Sequence, residues 1–320
     1  MPMINPSTPK TDAAIRDIAF DNVSGAAEIL RRAEGVFSLL RNESSRQASI
    51  SIQDAQGSIR EASIALAQAQ PDMSSLLKLA SAALSAARAE ATGSDALEAA
   101  ARAARGFVES ATNSAHAAAT HAVKLIREGS VVLTHSRSST VLEALVEARR
   151  AGKQFKVVAT ESRPMFEGRK LANELSTDGI HVTVIADAAA SLFIESVELI
   201  LVGADRITPQ HLVNKVGTKM IALAARERGV PIYAVCDTSK FVGVDYFEDT
   251  IRDQRDPREL WPDAPEGVAV QNRYFEPIPL VFFTGFVTER GALSDSEASA
   301  CARDADVDPV LVDLLRNQIR

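Results

Sequence analysis

Four short stretches hold most of the side chains that could do chemistry. Thr134-His135-Ser136-Arg137-Ser138-Ser139-Thr140 puts an arginine among hydroxyls just ahead of the helical stretch VLEALVEARR. A helix N-terminus offers unpaired N–H groups and a positive dipole end, so Arg137 and Ser138 beside it can hold a phosphate. The same residues can simply cap the helix, since Thr140-x-x-Glu143 reads as a capping box. In Thr160-Glu161-Ser162-Arg163-Pro164 the proline fixes the loop, while Glu161 and Arg163 either pair as a clamp or offer one charge to a ligand. Gly203-Ala204-Asp205-Arg206 is followed by Asn214-Lys215-Val216-Gly217-Thr218. There Asp205 can move a proton or accept sugar hydroxyls, and Asn214, Lys215 and the backbone near Gly217 can hold a phosphate. The alternative is a capped helix with a solvated lysine. Asp187 reads as a helix cap and Cys236 as a small apolar residue. With no closely spaced histidine pair and no GxGxxG, the set predicts a phosphorylated sugar or nucleotide as ligand, and no metal or cofactor.

Each stretch follows a short β-branched run: SVVLTH (130–135), FKVVAT (155–160), HVTVIA (181–186), VELILVG (197–203) and PIYAVC (231–236). Continuous apolar runs alternating with helices imply an α/β fold with a doubly wound, Rossmann-like parallel sheet covered on both faces. Ligands of such sheets sit at the carboxyl ends of the strands. Ser136, Arg137, Glu161, Arg163, Asp205, Asn214 and Lys215 are therefore expected to line one pocket. Upstream, Ala, Leu, Ser, Arg and Glu dominate with helical spacing, as in Leu76, Leu77, Leu79, Ala80, Ala83 and Leu84. The predicted division is a helical domain over 1–125 and a sugar-phosphate-binding domain over 126–320. Breaks are expected at Gln70-Pro71-Asp72 and at Thr92-Gly93-Ser94-Asp95, where Ser94 or Asp95 would cap the next helix. The late run IPLVFFTGFV (278–287) is more apolar than one sheet edge should expose, which predicts a homodimer or higher homo-oligomer.

Composition excludes several classes. The 320 residues are 46% hydrophobic and 24% charged, which is incompatible with a disordered chain and suits two domains. With 35 Lys+Arg against 42 Asp+Glu the net charge is −7, so no direct nucleic-acid binding is expected. No stretch reaches the roughly 18 apolar residues a membrane span needs, and MPMINPSTPKTD has no secretory apolar segment, so a cytoplasmic location and no membrane contact are expected. Two cysteines cannot build a disulfide framework.

The ordered set THSRSST, TESRP with Glu167-Gly168, VGAD (202–205), NKVGT (214–218), SKF (239–241), FEPIP (275–279) and TERG (288–291) resembles one superfamily. It holds the alpha, beta and delta subunits of eukaryotic translation initiation factor 2B together with methylthioribose-1-phosphate and ribose-1,5-bisphosphate isomerases. The resemblance is strong over about 130–320. It implies a helical N-terminal domain and a Rossmann-like C-terminal domain through which the family dimerises. Its isomerases use a Cys and Asp pair, and Asp205 keeps the second position while Ser136 stands where the cysteine would be. Their N-terminal Arg-Gly-Ala motif, which binds the substrate phosphate, is matched by Ser24-Gly25-Ala26, so Gly25 is carried over without the arginine. These departures imply a non-isomerising, regulatory binder like the initiation-factor alpha subunit, with a translation-factor partner. The rival is a pentose 1-phosphate isomerase with altered machinery, for which Cys236 is a candidate thiol. A third reading is a structural oligomer with a dead pocket.

Overall fold

The computed structural model describes residues 9–44, 50–243 and 255–319, and they pack as two units. Unit 1 takes the residues up to Thr112, Val242 and Gly243, and the residues from Ala305 on. Unit 2 takes Asn113 to Phe241 and Arg255 to Asp304.

Unit 1 is helical: α1 (Pro9–Ala19), α2 (Ala26–Ser44), α3 (Ile52–Ala69), α4 (Ser74–Arg88), most of α5 (Gly93–Val123) and, labelled in chain order below, the last helix α11 (Pro309–Ile319). Its core includes Ile18, Phe37, Leu40, Ile59, Leu66, Leu76, Leu79 and Leu311, all almost fully buried. The break at Gln70-Pro71-Asp72 separates α3 from α4 as expected. The start of α5 is capped by Thr92, ahead of both Ser94 and Asp95: Thr92 Oγ1 accepts the Asp95 N–H at 3.2 Å.

Unit 2 is built on a seven-stranded sheet. Its strands are β1 (Val131–His135), β2 (Lys156–Thr160), β3 (His181–Ile185), β4 (Leu199–Val202), β7 (Ile232–Val235), β9 (Gly285–Thr288) and β10 (Gly291–Leu293), in the order β10-β9-β7-β4-β1-β2-β3. All pairs are parallel except β10 with β9. Helices α6 (Ser139–Arg150), α7 (Glu167–Thr177), α8 (Ala190–Phe193) and α9 (Thr218–Arg228) lie among these strands, and α10 (Asp295–Arg303) follows them. The chain winds outward from β1 to β3, then returns to β4 and winds the other way. The order reverses between β1 and β4, which opens a crevice at their carboxyl ends. The central strands are largely apolar because both faces are covered; Leu199–Val202 is apolar and buried along its whole length.

Two features depart from the sequence expectation. A second, antiparallel sheet of β5 (Arg206–Ile207), β6 (His211–Lys215) and β8 (Phe275–Pro279) places Asn214 and Lys215 at the end of a strand, not at the start of a helix. The run 278–287 is also not an exposed face. Ile278, Leu280, Phe283, Phe286 and Val287 are buried, Ile278 on β8 beside β6 and Phe286 and Val287 on β9 between β7 and β10, and Val281 alone of these apolar residues is strongly exposed.

Candidate functional site

The crevice at the β1–β4 reversal is held by an internal frame of hydrogen bonds. His135, the last residue of β1, is almost fully buried, with Nδ1 2.6 Å from Thr160 Oγ1 and Nε2 2.9 Å from the Val216 carbonyl. A carbonyl only accepts, so Nε2 carries the proton and Nδ1 accepts the threonine hydroxyl. Burial pulls the imidazole pKa below its usual 6.5, and the neutral ring joins β1, β2 and the end of β6. Next along the chain, Ser136 has φ 64° and donates its N–H to Ser162 Oγ at 2.8 Å. Ser162 is itself left-handed at φ 61°, and its N–H and that of Arg163 donate to Asp187 Oδ1 and Oδ2, each at 2.7 Å. Two non-glycine residues in this region store on the order of 1–3 kcal/mol each, which these bonds offset. Asp187 is thus the anchor of the 161–164 loop, not the helix cap the sequence suggested.

Several predicted charges are engaged within the protein. The Arg137 guanidinium is held by Glu174 of α7 through Nε–Oε2 at 2.8 Å and Nη2–Oε1 at 2.9 Å. Glu161 pairs with Arg169 at 2.5 Å and not with Arg163. Arg163 lies over the Phe166 ring and donates to the Leu260 carbonyl. The α6 cap is Ser138, whose Oγ accepts the Val141 N–H; Thr140 and Glu143 form no capping box. Gly203, after β4, allows this close approach, because a Cβ there would lie 2.7 Å from the Ser138 Cβ.

The carboxylate and lysine segments converge. Lys215 is buried, pairs with Glu167 at the start of α7, and sits over the Tyr274 ring, 4.6 Å from its centroid. The alternative of a solvated lysine is overturned. Asn214 donates from Nδ2 to Thr218 Oγ1 at 3.0 Å, and Thr218 in turn donates to the Lys215 carbonyl. Asp205 has its carboxyl pKa raised, first by burial, with Lys240 and Lys215 pulling it down and Glu167 pushing it up. The second Glu167 oxygen, Oε2, is buried with no hydrogen-bond partner among the described residues.

Ser136, Ser138, Glu161, Arg163 and Asp205 follow strands of unit 2, and Asn214 and Lys215 are the last residues of its strand β6. Gly25 belongs to unit 1, where its carbonyl accepts the first N–H groups of α2. The Gly217 N–H, expected to face a phosphate, is taken by Glu276 of β8, whose Oε1 accepts from Gly217 and Lys219, both at 2.8 Å. Lys240, Glu276 and the side-chain role of Asp187 escaped the sequence reading. Only the pairing of β6 with β8 brings Glu276 to the α9 N-terminus, and no local pattern encodes that. Cys236 is buried, and burial lifts its thiol pKa well above the usual value, so it is protonated at neutral pH.

A family model described as the initiation factor 2 subunit family matches residues 22–295. A ribose 1,5-bisphosphate isomerase of Archaeoglobus fulgidus is 40% identical over 174 residues, 53% of this chain and 56% of that protein, so this chain aligns with little more than half of that relative's length. A putative translation initiation factor eIF-2B subunit 2-like protein of Pyrococcus horikoshii is 32% identical over 278 residues, 87% of this chain and 94% of that one. The crystal structure of the P. horikoshii translation initiation factor eIF-2B superposes with a TM-score of 0.78 at 30% identity, covering 89% of this chain and 97% of the other. The matched region takes in most of the helical unit as well as the sheet and every strand end described above, and on that breadth the chain belongs to the initiation factor 2 subunit family.

Proposed function

We propose that the chain is an aldose–ketose isomerase acting on a pentose 1-phosphate, with Asp205 carrying the proton. The observation behind this reading is the desolvated Asp205 carboxyl, its pKa raised, in the same charged cluster as Lys215, Lys240 and Glu167. A carboxyl that keeps its proton further toward neutrality can act as an acid and then as a base. In this reaction Asp205 gives its proton to the ring oxygen as the furanose opens. The hydrogen on C2 moves with its electron pair to C1, and the C2 hydroxyl returns a proton to the carboxylate as it becomes a carbonyl. Atoms and charge balance with the enzyme restored. Lys215 answers the phosphate charge, and the buried Glu167 Oε2 accepts a sugar hydroxyl. The name of the A. fulgidus relative supports the same reaction class.

Ser136 favours a second reading. An unassisted hydroxyl does not titrate near neutrality as a thiol does, so a protein with serine there suits a regulatory binder of a phosphorylated sugar or nucleotide that works with a translation-factor partner. The two separate cleanly. Incubation with ribose 1,5-bisphosphate or methylthioribose 1-phosphate, followed by NMR, is expected to show the corresponding ketose. Saturable binding without ketose would replace the isomerase with the binder.

The proposal includes a homodimer. Exposed Val216 just before α9 and exposed Met220 and Leu223 on α9 make an apolar surface, and α9 packs beside α8 with exposed Leu192 and beside the turn carrying exposed Val281. Such a surface in a family whose solved members include a tetrameric complex suits a second copy of the chain.

A further inference from the structure

We propose that His116, Glu143 and Glu147 form a surface site for a divalent transition metal of the zinc type. His116 lies on the part of α5 that belongs to unit 2, and the two glutamates are one turn apart on α6. Their ligand atoms lie within 4.8 Å of one another, with His116 Nδ1 2.6 Å from Glu143 Oε1 and 3.6 Å from Glu147 Oε1. Zinc takes imidazole nitrogen and carboxylate oxygen at about 2.0–2.2 Å, so neighbouring ligands of a tetrahedral site stand roughly 3.4 Å apart. The observed spacings bracket that edge, and all three side chains are exposed enough to adjust by the difference. Two further observations show that the carboxylates are available in this arrangement. Glu143 is released from capping α6, because Ser138 performs that role. Thr120, one turn after His116, donates to Glu147 Oε2 at 3.2 Å and orients that carboxylate from behind. Three protein ligands leave a fourth position for water. Imidazole with two carboxylates suits zinc, cobalt or nickel and disfavours magnesium, which takes oxygen ligands in octahedral geometry. A bound ion would staple the end of α5 to α6, the helix whose N-terminus borders the crevice. This inference is independent of the isomerase reading.

The test is titration of the chelator-stripped chain with zinc chloride by calorimetry, repeated with cobalt while following visible absorption. The expected result is one zinc per chain, no saturable magnesium binding, and affinity at least tenfold weaker in both His116→Gln and the Glu143→Gln/Glu147→Gln double variant. Circular dichroism should report unchanged helix content in both. The absence of saturable zinc binding would overturn the site, as would stoichiometric binding that survives in both variants.

Discussion

Replacing Asp205 by asparagine keeps the shape of the side chain and removes the proton it can give. Under the isomerase reading, turnover of a pentose 1-phosphate is expected to fall by about 10²–10⁴-fold, the usual contribution of one acid–base group. Affinity for the sugar phosphate, measured by calorimetry, should change by less than tenfold, since the phosphate is answered by Lys215. Loss of binding and turnover together would make Asp205 a structural residue. His135 supports a second test through pH. Its folded-state pKa lies below 6.5: burial pulls it down first, the hydrogen bond to the Val216 carbonyl and the Asp187 charge oppose that, and the Lys215 charge adds to the lowering. Below about pH 6.5 the unfolded chain takes up a proton that the folded chain refuses, so this residue's stabilising contribution is complete above that pH and is lost as pH falls toward the folded value. Thermal unfolding from pH 7.5 to 5.5 should therefore show a smaller drop in Tm for His135→Gln than for the parent chain. An equal drop in both would show that another group carries the pH dependence.

At the level of elements, the strands were readable and the contacts between their ends were not. Runs such as VELILVG announce buried parallel strands because their apolar residues are continuous, and all five runs became strands of one sheet. Which carboxylate meets which cation depends on how strand ends and helix starts converge in three dimensions. Arg137 therefore looked like an anion ligand although it reaches Glu174, 37 residues away. A solvated Lys215 is an open reading of the sequence for the same reason, since the antiparallel β6–β8 pairing beside it is carried by residues about 60 positions apart. Gly168 is a place where packing between elements fixes the residue type. A Cβ there would lie 1.7 Å from the Thr160 carbonyl oxygen, where α7 begins against the end of β2. Backbone cannot yield as a side-chain tip can, so Gly168→Ala is expected to destabilise unit 2 by about 3 kcal/mol, at the upper end for overpacking. Urea unfolding measures this directly, and a change below about 0.5 kcal/mol would contradict the packing described.

On the scale of the whole molecule, self-association is the property most open to measurement. Paired charges placed on the α9 surface, Met220→Glu with Leu223→Glu, should convert a dimer at micromolar concentration to a monomer in sedimentation without loss of folded structure, because both side chains already face solvent in the single chain. An unchanged sedimentation coefficient would move the interface elsewhere. The α9 N-terminus has a different consequence. There Glu276 already answers the backbone N–H groups of Gly217 and Lys219, as Glu167 answers the ammonium of Lys215. The crevice arrives with its own resident anions, so it behaves as a lock already holding a blank key. Sulfate or free phosphate, offering charge alone, must compete with carboxylates tethered at very high local concentration and so gain little. Under the proposed isomerase reading, a sugar phosphate would also bring hydroxyls to Glu167 Oε2 and Asp205 and re-use the carboxylate it displaces. On that reading, discrimination against the abundant small anions that surround any protein follows from the unliganded fold.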